Sequence, residues 1–371
     1  MESSTDVRLV EALAARFPLE VLARRMPGGV EISHPPEPPV RLAVGPSARL
    51  AHARWLLRAL RPRRGARSVV LVQGYGTSAL VANVVMRFTG APALMLVCSP
   101  VEAYYRCRRH HAGGAGPYRR RELWTLALLA RLNARLGLGY VVLSRHLADV
   151  VRGHGARRVE IVPVFGVNTA VFRAPAEERA ALRRRLSLPV DGQLIVFSSR
   201  IAPEKDAETL LAALRRLRDR GRDVRVVNRS GGHEAFRAEA ERAGVADRVI
   251  AGGALHPHRE LPLLYGACDV CVQASREEGL GFSPLEALAS GVPVVAADVG
   301  GLRETIVDGE TGWTYPVGDA DALADAVEAV LDDPAEGRRR AAAGRRMVEE
   351  RFAAEAVMAR LAALLREAAG T

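Results

Sequence analysis

The sequence predicts an α/β protein made of two doubly wound, Rossmann-like parallel-sheet domains that face a cleft. The chain has 371 residues, which is too long for one ordinary hydrophobic core and suits two domains. Hydrophobic residues make up 49% of the chain, as in globular proteins. Short apolar runs alternate with helical stretches, and this alternation is typical of parallel strands joined by crossover helices.

The first half of the chain shows this alternation over 173 residues. Short apolar runs predict strands around 19–23 and at 40–44, 69–73, 93–98, 140–144 and 159–164. Apolar residues at helical spacing predict helices at 48–61, 77–89, 121–136 and 145–153. We therefore assign residues 1–173 to an N-terminal domain.

A charged stretch that begins near residue 175 marks the connection to a second domain. Strands are predicted at 194–198, 224–228, 248–251, 270–273, 292–296 and 312–315. Helices are predicted at 207–220, 233–243, 258–267, 284–290, 301–307 and 320–331, and residues 334–369 read as helical without a strand signal. We assign residues 174–351 to the C-terminal domain, and expect residues 352–371 to form a helix that packs back on the N-terminal domain.

The net charge of +11 raises the question of an anionic partner. Lys205 is the only lysine among 53 basic residues, which indicates a general preference for arginine rather than a selected phosphate-binding stripe. Aromatic residues make up only 5%, too few for base-stacking platforms, so we expect no nucleic-acid partner. Arginine is dense at 58–67 and 106–121, which leaves two interpretations open, a solvated basic face and peripheral contact with an anionic membrane.

The cysteines and the N-terminal segment bear on the compartment. Four cysteines in so long a chain do not make a disulfide scaffold. Cys268 and Cys271 form a CxxC within an apolar segment that has no second CxxC and no histidine pair, so buried, unreactive thiols are favoured over a zinc site. The first residues show no signal peptide and no run is apolar enough to span a bilayer, so we expect a cytoplasmic protein, with the membrane-peripheral alternative open.

Two basic residues follow the first strand of the second domain. Ligands of open α/β sheets bind at the carboxyl ends of the strands, which makes Arg200 and Lys205 candidates for the site. An arginine supplies a rigid bidentate fork and a lysine a point charge, a combination that suits a diphosphate.

Two glutamates and two glycines follow the strand at 270–273. Gly279 and Gly281 allow a ligand to approach the backbone closely. Glu278 precedes these glycines and Glu286 lies in the helix that follows. Carboxylates are natural acceptors for sugar and ribose hydroxyls, so both are candidate ligand-binding residues.

These segments resemble the GT-B glycosyltransferases of the family-4 type. The resemblance extends from about residue 140 to residue 330 and includes SSRIAPEKD, EEGLGFSPLEALASGVPVVAADVGG and YPVGDADALADAV. Its most specific part is the pair of glutamates with seven residues between them, Glu278 and Glu286, preceded by Arg200 and Lys205. The resemblance implies a retaining transferase that moves a sugar from a nucleotide-diphosphate sugar to an acceptor hydroxyl on a glycan, a lipid-linked glycan or a small natural product.

The resemblance also implies residue roles. Arg200 and Lys205 would bind the donor diphosphate and stabilise the leaving charge, so neither a metal nor another cofactor is expected. Glu286 would hold the ribose and Glu278 the transferred sugar. Weaker assignments concern the nucleotide base, which Gly253 would border, and the acceptor side in the N-terminal domain, where Glu102 and His110 are candidates. The donor would also be contacted by backbone amides of the turn, at Gly279, Leu280, Gly281 and Phe282.

The N-terminal half departs from the family pattern. Family members usually begin with a strand and a glycine-rich loop, whereas this chain starts at its first helix, so we expect a divergent, shortened N-terminal domain. This leaves two alternatives to the transferase. One is another GT-B enzyme, such as a phosphorylase or a sugar-nucleotide epimerase. The other is a catalytically inactive partner protein that retains the donor domain.

Overall fold

The structure is a computed structural model that describes residues 4–25, 40–60, 68–74, 76–90, 92–111, 120–253, 255 and 259–370. It divides into two compact units. The first contains Met1–Glu102, Tyr118–Gly166 and Ala354–Thr371, and the second contains Ala103–Pro117 and Val167–Ala353.

Helices and strands alternate through both units. The helices are α1 Ser4–Ala14, α2 Arg49–Ala59, α3 Thr77–Thr89, α4 Val101–His111, α5 Arg120–Leu136, α6 Arg145–Gly153, α7 Arg179–Arg185, α8 Ala207–Asp219, α9 His233–Arg242, α10 Leu261–Ala267, α11 Phe282–Ala289, α12 Ala320–Asp332, α13 Pro334–Arg351 and α14 Ala354–Ala369. The strands are β1 Glu20–Arg24, β2 Arg41–Gly45, β3 Val70–Gln73, β4 Ala93–Val97, β5 Gly139–Val142, β6 Val159–Ile161, β7 Gln193–Val196, β8 Val224–Asn228, β9 Val249–Ala251, β10 Val270–Gln273, β11 Val294–Ala297 and β12 Trp313–Tyr315.

The first unit contains two parallel sheets. Strands β1 and β2 pair with each other, and β3, β4, β5 and β6 form a four-stranded sheet in that order. Every residue of β4 and β5 is buried, which is expected of parallel strands covered by helices on both faces. The C-terminal helix α14 belongs to this unit, where it contacts α1.

The second unit contains a six-stranded parallel sheet with the order β12-β11-β10-β7-β8-β9. The chain builds outward from β7 to β9, returns to place β10 beside β7, and then builds outward in the other direction. This is the doubly wound order of Rossmann folds, as the sequence predicted. The order places the topological switch point between β7 and β10.

A buried arginine secures the start of this sheet. The guanidinium of Arg183 donates to the carboxylate of Asp269 at 2.7 Å and to backbone carbonyls that include those of Ala267 and Val190. The same carboxylate oxygen of Asp269 accepts from the amide of Leu194, the second residue of β7. A buried charge requires such partners, and this one ties α7 to the beginnings of β7 and β10.

One helical prediction needs correction, and the predicted boundary after residue 351 coincides with a break between two helices. Residues 301–307 do not form an α-helix; the chain makes a 3₁₀ turn at Gly300–Glu304 instead. The helical tail is divided into α13 and α14 because the carbonyl of buried Phe352 accepts from the amide of Val167 at 2.7 Å, and Ala353 forms a parallel bridge with Val167. This long-range pairing has no signal in the local sequence.

All four cysteines are thiols, and Cys268 and Cys271 are buried. Burial raises the pKa of Cys271 to about 12 and that of Cys268 further, so both stay protonated at neutral pH. The prediction that the two cysteines of this CxxC are buried thiols is confirmed. Within the described ranges, no helix has the length and apolar character needed to cross a membrane.

Candidate active site

The switch point of the six-stranded sheet assembles the site. Strands β7 and β10 are neighbours there, and the segments that follow them carry Arg200 with Lys205 and Glu278 with Gly281. Diverging connections on either side of a switch point leave a crevice at the carboxyl ends of the strands, where open α/β sheets bind ligands. Residues far apart in sequence are therefore brought together by strand order.

Lys205 and Glu278 form an ion pair at this point. The ammonium of Lys205 lies 2.5 Å from Oε2 of Glu278, and their side chains are 15% and 10% exposed. Lys205 ends a short 3₁₀ turn, Pro203–Lys205, that follows β7. Because the pair is largely shielded from water, each charge acts on the other through a low local dielectric.

Three further side chains hold the Glu278 carboxylate. Gln273 and Ser275 each donate to Oε2 at 3.1 Å, and the hydroxyl of Tyr104 lies 3.4 Å from Oε1. Burial raises the pKa of Tyr104 well above its usual value, and the nearby carboxylates of Glu278 and Glu204 raise it further. Tyr104 is therefore a protonated phenol that can donate.

Arg200 is the most accessible charged group of the site. Its side chain is 62% exposed, and one guanidinium nitrogen lies 3.4 Å from the buried carboxylate of Glu204. Long contacts of this kind leave the remaining donors of the fork for a ligand. Arg200 and Lys205 thus place two positive charges on the connection that follows β7.

An ion pair between partly exposed Arg276 and buried Asp206 joins the two connections. Asp206 adopts a left-handed conformation with φ of 50° and caps α8 by accepting from Thr209. Its carboxylate also accepts from Arg276 at 2.9 Å, and the amide of Arg276 donates to the carbonyl of Glu204. These bonds fix the position of Lys205 relative to Glu278.

The glycine-bearing turn is packed against the next connection. Gly281 has φ of 92° and immediately precedes α11. A Cβ atom at Gly301 would lie 2.2 Å from the carbonyl oxygen of Gly279, and the amide of Gly301 donates to the carbonyl of Glu278 at 3.0 Å. Glycine is therefore required at position 301 by close backbone approach. Leu280 is buried and Phe282, the first residue of α11, is partly buried.

Glu286 lies on the inner side of α11 and is 8% exposed. Its Oε2 lies 3.5 Å from the hydroxyl of fully buried Tyr265, which also bonds to Ser198 at 2.8 Å and to the carbonyl of Ser283 at 3.1 Å. Burial raises the pKa of Tyr265 well above its usual value, and Glu286 raises it further. A protonated Tyr265 therefore helps to keep a carboxylate in this buried position.

Three weaker candidates remain, at Gly253, Glu102 and His110. Gly253 is exposed after β9 with φ of 69°, and strands β7 and β8 lie between β9 and β10 in the sheet. Glu102 belongs to the first unit, where it lies 3.4 Å from His154. His110 falls in α4, and its side chain lies outside the described part of the chain.

Several residues of the site were not predicted as functional. Gln273 and Ser275 stand at the carboxyl end of β10, so their position on the strand was a signal that sequence reasoning could have used. Asp206 and Arg276 carry no such signal, because their pairing bridges 70 residues. Tyr104 is separated from Glu278 by 174 residues and could not be found from local pattern.

The cluster places positively charged side chains beside carboxylates that accept hydrogen bonds. Arg200 and Lys205 suit phosphate oxygens, and Glu278 and Glu286 suit hydroxyl groups. Among the residues that the structure describes, no three His, Cys, Asp or Glu side chains are grouped to hold a metal ion. The site has the chemical character of a binding place for a phosphate-linked polyol.

The fold is that of a GT-B protein. The chain superposes on sucrose-phosphate synthase from Thermosynechococcus elongatus with a TM-score of 0.79 and 25% sequence identity, covering 97% of this chain and 91% of the other. The predicted GT-B fold class is thereby confirmed, but the doubly wound order is found only in the second unit, because the four-stranded sheet of the first unit runs in the sequential order β3-β4-β5-β6.

Sequence comparison indicates the family of the C-terminal segment. Residues 178–347 match the family model described as glycosyl transferases group 1. A D-inositol 3-phosphate glycosyltransferase of Xylanimonas cellulosilytica is 41% identical over 217 residues, which are 55% of this chain and 50% of that protein. A GDP-mannose-dependent alpha-(1-6)-phosphatidylinositol monomannoside mannosyltransferase of Mycolicibacterium smegmatis is 36% identical over 209 residues, 54% of each chain.

The matched segment therefore belongs to the group 1 glycosyltransferases, which confirms the resemblance to the family-4 type. The segment contains all eight residues predicted to bind the donor, from Arg200 to Glu286. The alignments span about half the length of each of these two relatives.

Proposed function

We propose that this protein is a retaining glycosyltransferase that moves a sugar from a nucleotide-diphosphate sugar to an acceptor hydroxyl. The observation that carries the proposal is the cluster of Lys205, Glu278 and Arg200 at the switch point, with Glu286 on the adjoining helix. The family of the C-terminal segment supports the same reaction class. One relative is by its name GDP-mannose-dependent, which supports a nucleotide sugar as donor.

In this proposal the two cations act on the leaving group. When the bond between the sugar and the diphosphate breaks, negative charge grows on the departing phosphate. Arg200 and Lys205 stabilise that charge from fixed positions, and such preorganised stabilisation is often the largest contribution to catalysis. Lys205 exchanges part of its interaction with Glu278 for the diphosphate when donor binds, and this keeps the carboxylate close to the sugar.

The carboxylates serve binding in the same proposal. Glu286 accepts the ribose hydroxyls, and Glu278 accepts a hydroxyl of the transferred sugar with the amides of the turn from Gly279 to Phe282. The acceptor hydroxyl attacks on the face that the diphosphate leaves, so the anomeric configuration is retained. The departing phosphate takes the acceptor proton.

The decisive experiment removes the cations one at a time. Lys205→Ala and Arg200→Ala should each lower kcat by about 10²–10³-fold, the range for losing one preorganised donor to a developing charge. Transfer is measured by release of nucleoside diphosphate from UDP-glucose and GDP-mannose with a panel of polyol acceptors. The matched control is Arg339→Ala, which removes an arginine of similar exposure, 56% against 62%, that pairs with Glu336 in α13.

Unchanged rates in both site variants would overturn the assignment. Binding of a donor without turnover by any acceptor would favour the inactive-partner alternative. The same assay with EDTA tests the proposal that the cations act without a metal. Activity should persist in chelator, and a strict requirement for Mg²⁺ would contradict this part of the mechanism.

We further propose a peripheral contact with an anionic membrane surface. One exposed stripe of α5 carries Arg121, Trp124, Leu128, Arg131 and Arg135 at helical spacing. Trp124 is 67% exposed and Leu128 is 39% exposed, so the stripe presents apolar groups between arginines. Helices that lie in the membrane interface have this combination.

A cytoplasmic location belongs to the same proposal. It is supported by the four cysteines, which are all thiols in the folded chain. Disulfides are rare in reducing compartments, and thiols persist there.

A further inference from the structure

The hydroxyl of Tyr104 makes two contacts with the groups assigned above to the transferred sugar. Its oxygen lies 3.4 Å from Oε1 of Glu278, to which it donates. The same oxygen accepts a hydrogen bond from the backbone amide of Gly279. Tyr104 lies in α4, whose residues from Ala103 onward belong to the second unit with Glu278 and Gly279.

This pair of contacts is the pattern that a sugar hydroxyl forms in a binding site. A hydroxyl group is one donor and one acceptor in the same small volume, and it is recognised by a carboxylate on one side and an N–H on the other. Tyr104 places a hydroxyl group beside Glu278 and Gly279. In the proposed function, a hydroxyl of the donor sugar lies at this same place.

We propose that the Tyr104 hydroxyl occupies the position of one hydroxyl group of the donor sugar and thereby determines which sugars the site accepts. A sugar that lacks this hydroxyl binds with Tyr104 in place. A fully hydroxylated sugar binds only after it displaces the phenol from Glu278 and Gly279. The inference deepens the proposed function and rests on it.

The geometry makes Tyr104 the replaceable ligand of Glu278. Its O···O distance of 3.4 Å exceeds the roughly 2.7–2.8 Å usual for O–H···O bonds, and it is longer than the contacts that Lys205, Gln273 and Ser275 make with the same carboxylate. Lys205 at 2.5 Å and Gln273 and Ser275 at 3.1 Å are all on Oε2. They would keep the carboxylate in place while Oε1 changes partner.

The raised pKa of Tyr104 agrees with this role. Burial is the largest cause, and the carboxylates of Glu278 and Glu204 add to it. The phenol is therefore protonated across the neutral range and presents a hydroxyl rather than a negative charge. Only a protonated oxygen can imitate a sugar hydroxyl toward Glu278.

The test compares the affinities of nucleotide and nucleotide sugar in matched variants. UDP, GDP, UDP-glucose and GDP-mannose are titrated by calorimetry into the wild-type protein, Tyr104→Phe and Tyr105→Phe. The second variant makes the same change one residue further along α4. Tyr104→Phe should tighten binding of the sugar-bearing ligand about two- to tenfold, the range for one net hydrogen bond that no longer competes. Binding of the bare diphosphates should stay unchanged in both variants.

Weaker or unchanged binding of the nucleotide sugar by Tyr104→Phe, with the bare diphosphate still bound, would overturn the inference and leave the proposed function standing. It would show that Tyr104 merely positions Glu278 or is neutral. Binding of none of the four ligands by the wild-type protein would contradict the proposed function itself, and the inference with it.

A second measurement uses monodeoxy analogues of the donor that binds. In the wild-type protein, the analogue that lacks the competing hydroxyl should bind more tightly than its parent. In Tyr104→Phe that advantage should disappear. If no analogue gains affinity in the wild-type protein, Tyr104 does not occupy a hydroxyl position.

Discussion

Glu286 shows how a buried carboxylate can be prepared for a ligand by one neighbouring residue. Tyr265 is fully buried, keeps its proton and lies 3.5 Å from the carboxylate, while Ser198 and the carbonyl of Ser283 hold the phenol from other directions. An ionised carboxylate is an acceptor only, so ribose hydroxyls can donate to it. The assignment of Glu286 to the ribose is a proposal that rests on this acceptor and on its place in α11 beside the site.

We expect Glu286→Ala to weaken the binding of UDP or GDP about tenfold or more, because hydrogen bonds to a charged group contribute about 1.5–3 kcal/mol. Calorimetry with the diphosphate that binds the wild-type protein measures the change directly. Glu310→Ala is the matched control, since Glu310 is exposed in the turn before β12. Normal affinity of the Glu286 variant would exclude its role at the ribose.

At the scale of elements, the site depends on how closely successive connections pack. The turn at 278–281 and the 3₁₀ turn Gly300–Glu304 are in backbone contact, with no room for a Cβ atom at Gly301. The turn that offers amides to the donor is thus shaped by the connection that follows the next strand. A substitution in the 3₁₀ turn Gly300–Glu304 should therefore displace the turn at 278–281.

Gly301→Ala tests this coupling. The added methyl group would lie 2.2 Å from the carbonyl oxygen of Gly279, so the turn has to move. We expect a loss of about 1–3 kcal/mol in the free energy of unfolding and a marked loss of nucleotide affinity. Denaturant unfolding and calorimetry measure the two effects.

The control for this change is Gly153→Ala, at the end of α6. A Cβ atom there has nothing within 4 Å, and the residue has no positive φ. We expect stability within 1 kcal/mol of the wild type, with unaltered nucleotide binding. Equal behaviour of the two variants would show that the turns are not coupled.

Strand patterns were predictable because fully buried parallel strands read as short apolar runs. Strands β7, β8 and β10 fall where the sequence predicts them, and α3 has the predicted bounds. The break between α13 and α14 falls at the boundary predicted after residue 351, but the bond between Phe352 and Val167 at this break was not predictable from local sequence. The same limit applies to the site, since the residues after β7 and β10 were predicted whereas the contact of Tyr104 was not.

Across the whole molecule, the arginines that give the net charge of +11 differ in how far their charge is already paired with carboxylates. In the second unit many arginines form salt bridges. Arg220 and Arg222, which follow α8, both pair with Glu328 of α12. The exposed stripe of α5 in the first unit combines arginines with Trp124 and Leu128. Charge alone would attract any anion, whereas exposed apolar groups between the charges favour a membrane interface.

We therefore expect the protein to sediment with phosphatidylglycerol vesicles and not with phosphatidylcholine vesicles, and to be released as salt is raised, because exposed charges are screened over about 10 Å at 0.1 M. Trp124→Ser keeps the net charge and should reduce the bound fraction several-fold. The matched control Val190→Ser removes an apolar side chain that is 39% exposed in the second unit, and it should bind as the wild type does. If both variants bind vesicles equally well, the stripe is only a solvated basic face and the attraction is electrostatic alone.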